Sequence, residues 1–165
     1  MAQEQIHSKR RGRFFAYAPL FIWIGVVLFL GSGAGSMNET SRFVRPLLEF
    51  LFPSASDEIY LVYHGFIRKF AHFFEYAVLA YLAQRAFSRS PAGSLSKRPI
   101  LIAFILIAAV AIIDEANQSF IASRTSSPHD VLLDISGGCV ILALVWFFRR
   151  RPLTSDNRPP TGHRN

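Results

Sequence analysis

Lys69, His72 and Glu75, then Asp114, Glu115 and Gln118, then Asp130 and Asp134, lie in three stretches otherwise apolar enough to cross a membrane. Carrying a charge into hydrocarbon is costly, so ionisable residues there are rare and turn toward a bundle interior or a wet cavity. The same oddity in three separate stretches suggests one shared polar site. Lys69 and Arg124 could hold an anion, with the carboxylates orienting them. His72 is a candidate general acid or base that Glu75 or Asp114 could orient, and the two cations could stabilise negative charge as it develops. His72, Glu75 and Asp114 are therefore the candidates for catalysis. The candidate binding set is Lys69, His72, Glu75, Asp114, Glu115, Gln118, Arg124, Asp130 and Asp134.

The elements that must position these groups read as helices in a bilayer. The first apolar run covers 14–30, with Pro19 about one turn in. A cleaved leader is the competing reading, because small residues follow at 31–35, but the apolar core is longer than an h-region of about 7 to 15 residues. An uncleaved anchor is expected. The second span is expected at 65–86, with a helix that could start near the cap residue Ser56. The third begins after Pro99; its apolar stretch 100–113 reaches spanning length only by continuing through the polar residues to Phe120. The fourth covers 131–148 and stops at Arg149-Arg150-Arg151. Residues 41–52 are too short to cross and rich in bulky apolar side chains. They are expected to form an interfacial helix on the outer leaflet, the alternative being a loop that plugs the bundle. The fold class is thus an all-α membrane protein, a bundle of four transmembrane helices with a short interfacial helix between the first two. Residues 1–13 form a basic leader, 14–149 the membrane domain and 150–165 a disordered tail.

Charge placement orients this layout. The net charge is +7, and the basic residues crowd the flanks of apolar segments: Lys9, Arg10, Arg11 and Arg13, then Arg85, Arg89, Lys97 and Arg98, then Arg149 to Arg151. With four crossings, all three clusters fall on one side, so both termini are expected in the cytoplasm of a bacterial inner membrane. Adding or removing one span would place a cluster outside. No zinc pattern or basic-aromatic motif accompanies the charge, which argues against nucleic-acid binding. The lone Cys139 excludes an intrachain disulfide; after Gly137 and Gly138 it is expected to serve close helix packing.

Helix rise turns position into depth. Counted from the cytoplasmic boundary, His72 lies about 20 Å up, Glu75 about 15 Å, and Asp114 and Asp134 about 22 Å. All four share the outer half of a core about 30 Å thick. Lys69, Gln118 and Asp130 are one turn further out, and Arg124 belongs to the outer loop with Ser123, Thr125 and His129. Lys69, His72 and Tyr76 share a helical face, as do Asp114 with Gln118 and Asp130 with Asp134. The bland alternative is helix glue, in which Lys69 or Arg124 pairs with a carboxylate and Gln118 cross-links helices. Buried ion pairs stabilise weakly, however, and packing would need only one or two such groups. A small outward-opening cavity is the better reading.

The segments Lys69-Phe70-Ala71-His72-Phe73-Phe74-Glu75-Tyr76 and Asp114-Glu115-Ala116-Asn117-Gln118-Ser119-Phe120, then Arg124, then Asp130-Val131-Leu132-Leu133-Asp134-Ile135-Ser136-Gly137, resemble the VanZ-like family. These are membrane proteins named for an accessory protein of glycopeptide-resistance clusters. The resemblance covers approximately 69–138 and implies a four-span envelope protein, with teicoplanin-type resistance as the namesake role. The family pattern has Asn where this chain has Asp134, whose charge must then be met by a cation or removed by a proton.

The favoured chemistry is non-enzymatic: an outward pocket that binds a lipid head group, a lipid-linked cell-wall precursor or a lipophilic glycopeptide. The alternative is a membrane enzyme acting on a phosphorylated or lipid-linked substrate at the outer leaflet. No Gly-x-Ser-x-Gly setting surrounds Ser119, Ser123 or Ser136. A proton or solute pathway is disfavoured, since four short spans without an internal repeat make a poor transporter. His72, Glu75, Asp114 and Asp134 could ligate a metal, but a single His-x-x-Glu pair arises easily by chance. His64 and His129 read as ordinary interfacial residues. No metal and no cofactor are expected.

Overall fold

Helix formation follows from long runs of Leu, Ile, Ala and Phe, which carry Pro19, Pro46 and the Gly137-Gly138 pair within helices, and each break between helices has a Gly or Pro beside it. A computed structural model describes residues 2–32, 37–120 and 127–150, with side chains from residue 15 and, after the first gap, from residue 39. Every regular element among them is a helix: α1 (Ala2–Gly31), α2 (Met37–Leu51), α3 (Asp57–Ser88), the short α4 (Gly93–Lys97), α5 (Pro99–Ser119) and α6 (Pro128–Arg150). The basic leader's side chains, Arg124 and the tail at 151–165 lie outside the described residues.

Local signals explain the boundaries. Ser56 is the N-cap of α3 as its sequence suggests, but with extended backbone and no side-chain bond to the first turn. Asp57 and Glu58 in that turn complement the positive end of the helix dipole instead. Pro99 opens α5 at a position where its missing N–H costs nothing. Ser127 accepts the His129 N–H on its hydroxyl at 3.2 Å and the Asp130 N–H on its carbonyl at 2.9 Å, which winds the first turn of α6.

The 32-residue α3 is the axis of the fold, about 48 Å long, and α1, α2, α5 and α6 all pack on it. Tyr17 of α1 meets Phe87 of α3 edge to face, and Trp23 Nε1 donates to the Glu75 carbonyl at 2.9 Å, so α1 runs antiparallel to α3. Gly137 of α6 lies against Phe73, and Arg149 donates to Ser88 Oγ at 3.0 Å, so α6 runs parallel to α3. The four long helices thus alternate up and down.

Small residues permit this closeness. Ala80, Ala83 and Ala86 of α3 are buried with Ala103, Ile107 and Ala111 of α5 and Leu142 of α6. A Cβ added at Gly137 would come within 2.2 Å of the Phe73 carbonyl oxygen. A Cβ at Gly138 would meet Ile107 side-chain carbons at 3.0 Å. Cys139 corrects the sequence reading: it is exposed, because two adjacent glycines already fill the inward sector of α6 and the next residue turns out.

The outer surface is apolar. Phe21, Ile22, Phe66, Phe70, Ile105, Ile112, Leu132 and Val140 are all exposed, a pattern opposite to that of a water-soluble bundle. Pro99–Ser119 and Pro128–Arg150 are long and apolar enough to cross a membrane, and Phe15–Gly31 is a shorter apolar helix. The fourth long helix, α3, exceeds them in length but carries Arg68, Lys69, His72 and Glu75 around its middle.

Candidate functional site

The polar residues of α5 are a continuation of its core stripe. Ala103, Ile107, Val110, Ala111, Asp114, Glu115 and Gln118 recur at helical spacing, and all are buried. The helix therefore needs no change of face to pass from hydrocarbon contacts to carboxylates. On α6 the stripe is Asp134, Gly137, Gly138 and Leu142. On α3 it runs His64, Arg68, His72, Tyr76, Ala80 and Ala83, every fourth or third residue.

Three of these stripes converge on His72, Asp114 and Asp134, each of which brings one ligand-type atom within 4.8 Å of the others. Asp114 is 0% exposed and Asp134 3%. Gln118 Nε2 donates to Asp114 Oδ2 at 2.8 Å, one turn along the same helix. Glu75 stands one turn from His72, its Oε2 3.5 Å from the ring Nδ1. The end of α1 closes the group from above: Gly31 lies against the Asp114 carboxylate, and a Cβ there would force that side chain to move.

Beside this cluster is a cavity of about 130 Å³ lined by Leu30, Thr40, Val44, His64, Ile67, Arg68, Ala71, His72 and Glu75. It has room for a handful of waters or one tetrahedral oxyanion. Its outer wall is α2. Thr40 Oγ1 is 3.0 Å from His64 Nε2, and Val44 and Leu48 continue the same face toward α3. Alongside that face, Phe43, Leu47, Phe50 and Leu51 are exposed, Phe43 by 81% and Phe50 by 83%, while Arg42 and Glu49 take the opposite face of α2. Arg45 ties the far end of α2 to the start of α3 through Asp57 Oδ1 at 2.6 Å and to its own helix through Glu49 Oε1 at 2.8 Å. Glu49, then Asp57, raise the Arg45 guanidinium above its ordinary range. Of residues 41–52, all but Phe52 are helical, and α2 packs on α3 and supplies a cavity wall.

The remaining predicted residues divide differently. Lys69 lies toward the outside of the bundle. Its side chain is 63% exposed and meets Asp130 at the rim, Nζ to Oδ1 at 3.8 Å. The cation that turns inward is its neighbour Arg68, half-buried in the cavity wall and within electrostatic range of Asp130, Asp114, Glu115 and Glu75. Spacing from His72 admits Lys69 at three residues and Arg68 at four, and only the rotation of α3 against its neighbours distinguishes them. Glu115 is held by a structural task, accepting the Ser127 N–H and so anchoring the start of α6. Arg124 lies outside the described residues. His64, read as interfacial from sequence, is buried against Thr40, whereas His129 is exposed. The signal for His64 and Arg68 was present as an i, i+4, i+8 series ending at His72.

Comparison with known proteins agrees with the motif reading. A family model described as VanZ/LLP1 matches residues 14–149. No curated protein and no solved structure matches the chain.

Proposed function

The chain is a member of the VanZ/LLP1 family, and from that premise we propose that it is a four-span protein of the bacterial inner membrane whose outward-opening cavity binds the phosphate-bearing head group of a membrane lipid or lipid-linked cell-wall precursor. The observation that carries this reading is the cavity under α2, with Arg68, His64 and His72 in its wall and lipid-facing Phe43 and Phe50 just outside it. An oxyanion in that volume would meet the guanidinium directly, while the attached acyl or polyprenyl chain stayed in the bilayer along α2. A head-group anion suits the cavity, and a lipophilic glycopeptide would engage it through a charged end.

The orientation rests on charge. Arg85, Arg89, Lys97, Arg98, Arg149 and Arg150 flank the end of α3, the start of α5 and the end of α6, which reaches Ser88 of α3 through Arg149, and such clusters face the cytoplasm. The cavity is at the opposite end of the bundle. A cysteine placed at Ser54 in a Cys139→Ala background is expected to react with a membrane-impermeant maleimide added to intact cells. One placed at Ser94 is expected to react only after the cells are opened; labelling in the reverse order would sink this topology.

A second reading, hydrolysis or transfer at a phosphorylated lipid, is favoured by one observation, the Glu75–His72 pair beside two buried carboxylates. One experiment separates the two. A deletion strain complemented with wild type, His72→Ala or Asp114→Asn, with expression checked, is tested against a lipoglycopeptide and a plain glycopeptide while lipid-linked precursors are profiled. Binding predicts graded losses confined to the lipophilic drug and unchanged precursor pools. A precursor that accumulates equally in the deletion and His72→Ala strains would replace binding with catalysis.

A further inference from the structure

We propose that His72, Asp114 and Asp134 form a binding site for one divalent transition-metal cation. Three ligands from three helices, α3, α5 and α6, each offer an atom within 4.8 Å of the other two. Donors held by one ion at about 2.0–2.4 Å stand roughly 3–4.5 Å apart, so a shift of a few tenths of an ångström closes the set. Such a shift is within reach of side-chain torsions alone.

Two features of the surroundings fit an ion. Asp114 and Asp134 are both out of water, and two carboxylates this close repel strongly in a medium of low dielectric unless one takes up a proton or a cation lies between them. Tyr76, one turn beyond His72, is 0% exposed, yet its hydroxyl has no hydrogen-bond partner among the described residues. It lies within electrostatic range of Asp114 and Asp134, where it would accept from or donate to a water on the ion.

The outer groups also match a built metal site. Gln118 Nε2 holds Asp114 through Oδ2, and Glu75 faces His72 Nδ1, which would leave Nε2 to the ion. Carboxylates and amides in these positions fix ligand orientation in metal sites generally. One imidazole with two carboxylates suits Mn²⁺ or Zn²⁺ better than Mg²⁺ or Ca²⁺, which favour all-oxygen shells. Coordination positions not taken by protein would face the cavity that His72 also lines. This site replaces the sequence expectation of no metal. That expectation rested on the weakness of a His-x-x-Glu pair, and here Glu75 orients rather than ligates.

The site needs no lipid, so its test is separate from that of the head-group reading. The full chain, purified in detergent and stripped with EDTA, is exposed to Mn²⁺ or Zn²⁺, desalted and assayed by mass spectrometry for retained metal. The expected result is about one ion per chain, falling by roughly tenfold or more in His72→Ala, Asp114→Asn and Asp134→Asn, with Glu58→Gln, at the exposed start of α3, unchanged. Wild type retaining less than about a tenth of an ion per chain, or the three variants retaining as much as wild type, would overturn it. Because substitutions at buried carboxylates can unfold the bundle, Co²⁺ is also titrated into otherwise wild-type protein carrying Trp146→Phe. Trp23, bonded to the Glu75 carbonyl, is then the remaining tryptophan and reports on the site. Quenching that saturates near one equivalent, with visible Co²⁺ absorption that Zn²⁺ abolishes, is expected; an unchanged Trp23 emission and no absorption overturn the proposal.

Discussion

Gly137→Ala is expected to destabilise the bundle severely, by about 1–3 kcal/mol or more, although it adds a single methyl group. The added Cβ would come within 2.2 Å of the Phe73 carbonyl oxygen and 2.9 Å of its carbonyl carbon. These are backbone atoms of α3, so no rotamer change relieves the clash, and the two helices must separate. The contact between α3 and α6 is the most extensive in the molecule, and its separation would also carry Asp134 away from His72. Gly138→Ala should cost less, since the atoms it meets at 3.0 Å are the far end of the Ile107 side chain. Gly25→Ala is the control: nothing lies within 4 Å of its Cβ, so removing a helical glycine there should be neutral or slightly stabilising. Thermal unfolding of the three variants in one mild detergent, followed by helical circular dichroism, checks the order. Equal stability of Gly137→Ala and Gly25→Ala would refute the account of how α3 and α6 touch.

Arg68→Ala is expected to abolish anion binding where Lys69→Ala hardly alters it. Arg68 lines the cavity, and a charge-assisted hydrogen bond from its guanidinium contributes about 1.5–3 kcal/mol, or roughly 10- to 150-fold in affinity. Lys69 is mostly exposed, and its rim contact with Asp130 is of the class contributing about 0–1 kcal/mol. Arg68→Lys keeps the charge but loses the planar fork, and should recover part of the affinity. The probe is short-chain phosphatidic acid titrated into the purified protein in a nonionic detergent, followed by calorimetry. A Lys69→Ala loss equal to that of Arg68→Ala would remove the cavity from the binding reading and move the anion to the rim.

The adjacent pair Arg68 and Lys69 marks where sequence reasoning ends. From the residues alone came the helical class, the membrane character, the family resemblance that the matched model bears out, and a polar group shared by α3, α5 and α6. These were legible because they depend on local facts: the length of apolar runs, the cost of charges within them, and a short ordered series of ionisable residues. Asp114 and Gln118 could be read with particular security, since they prolong the same buried stripe that Ala103 and Ile107 begin.

Rotation about each helix axis was not legible, and it decided the rest. A turn of α3 by one residue, about 100°, exchanges Arg68 for Lys69 as the inward cation, with no change in composition or periodicity. The same kind of choice sent Cys139 outward, because Gly137 and Gly138 took the crowded sector of α6. It also converted the segment after α1 into a cavity wall through the Thr40–His64 contact, 24 residues apart in the chain. The sequence by itself determined which residues had to leave lipid, because that cost belongs to each side chain separately. Which of them meet one another was decided only by the tertiary structure, because helix rotation is set by the fit of glycines and alanines against neighbouring backbones.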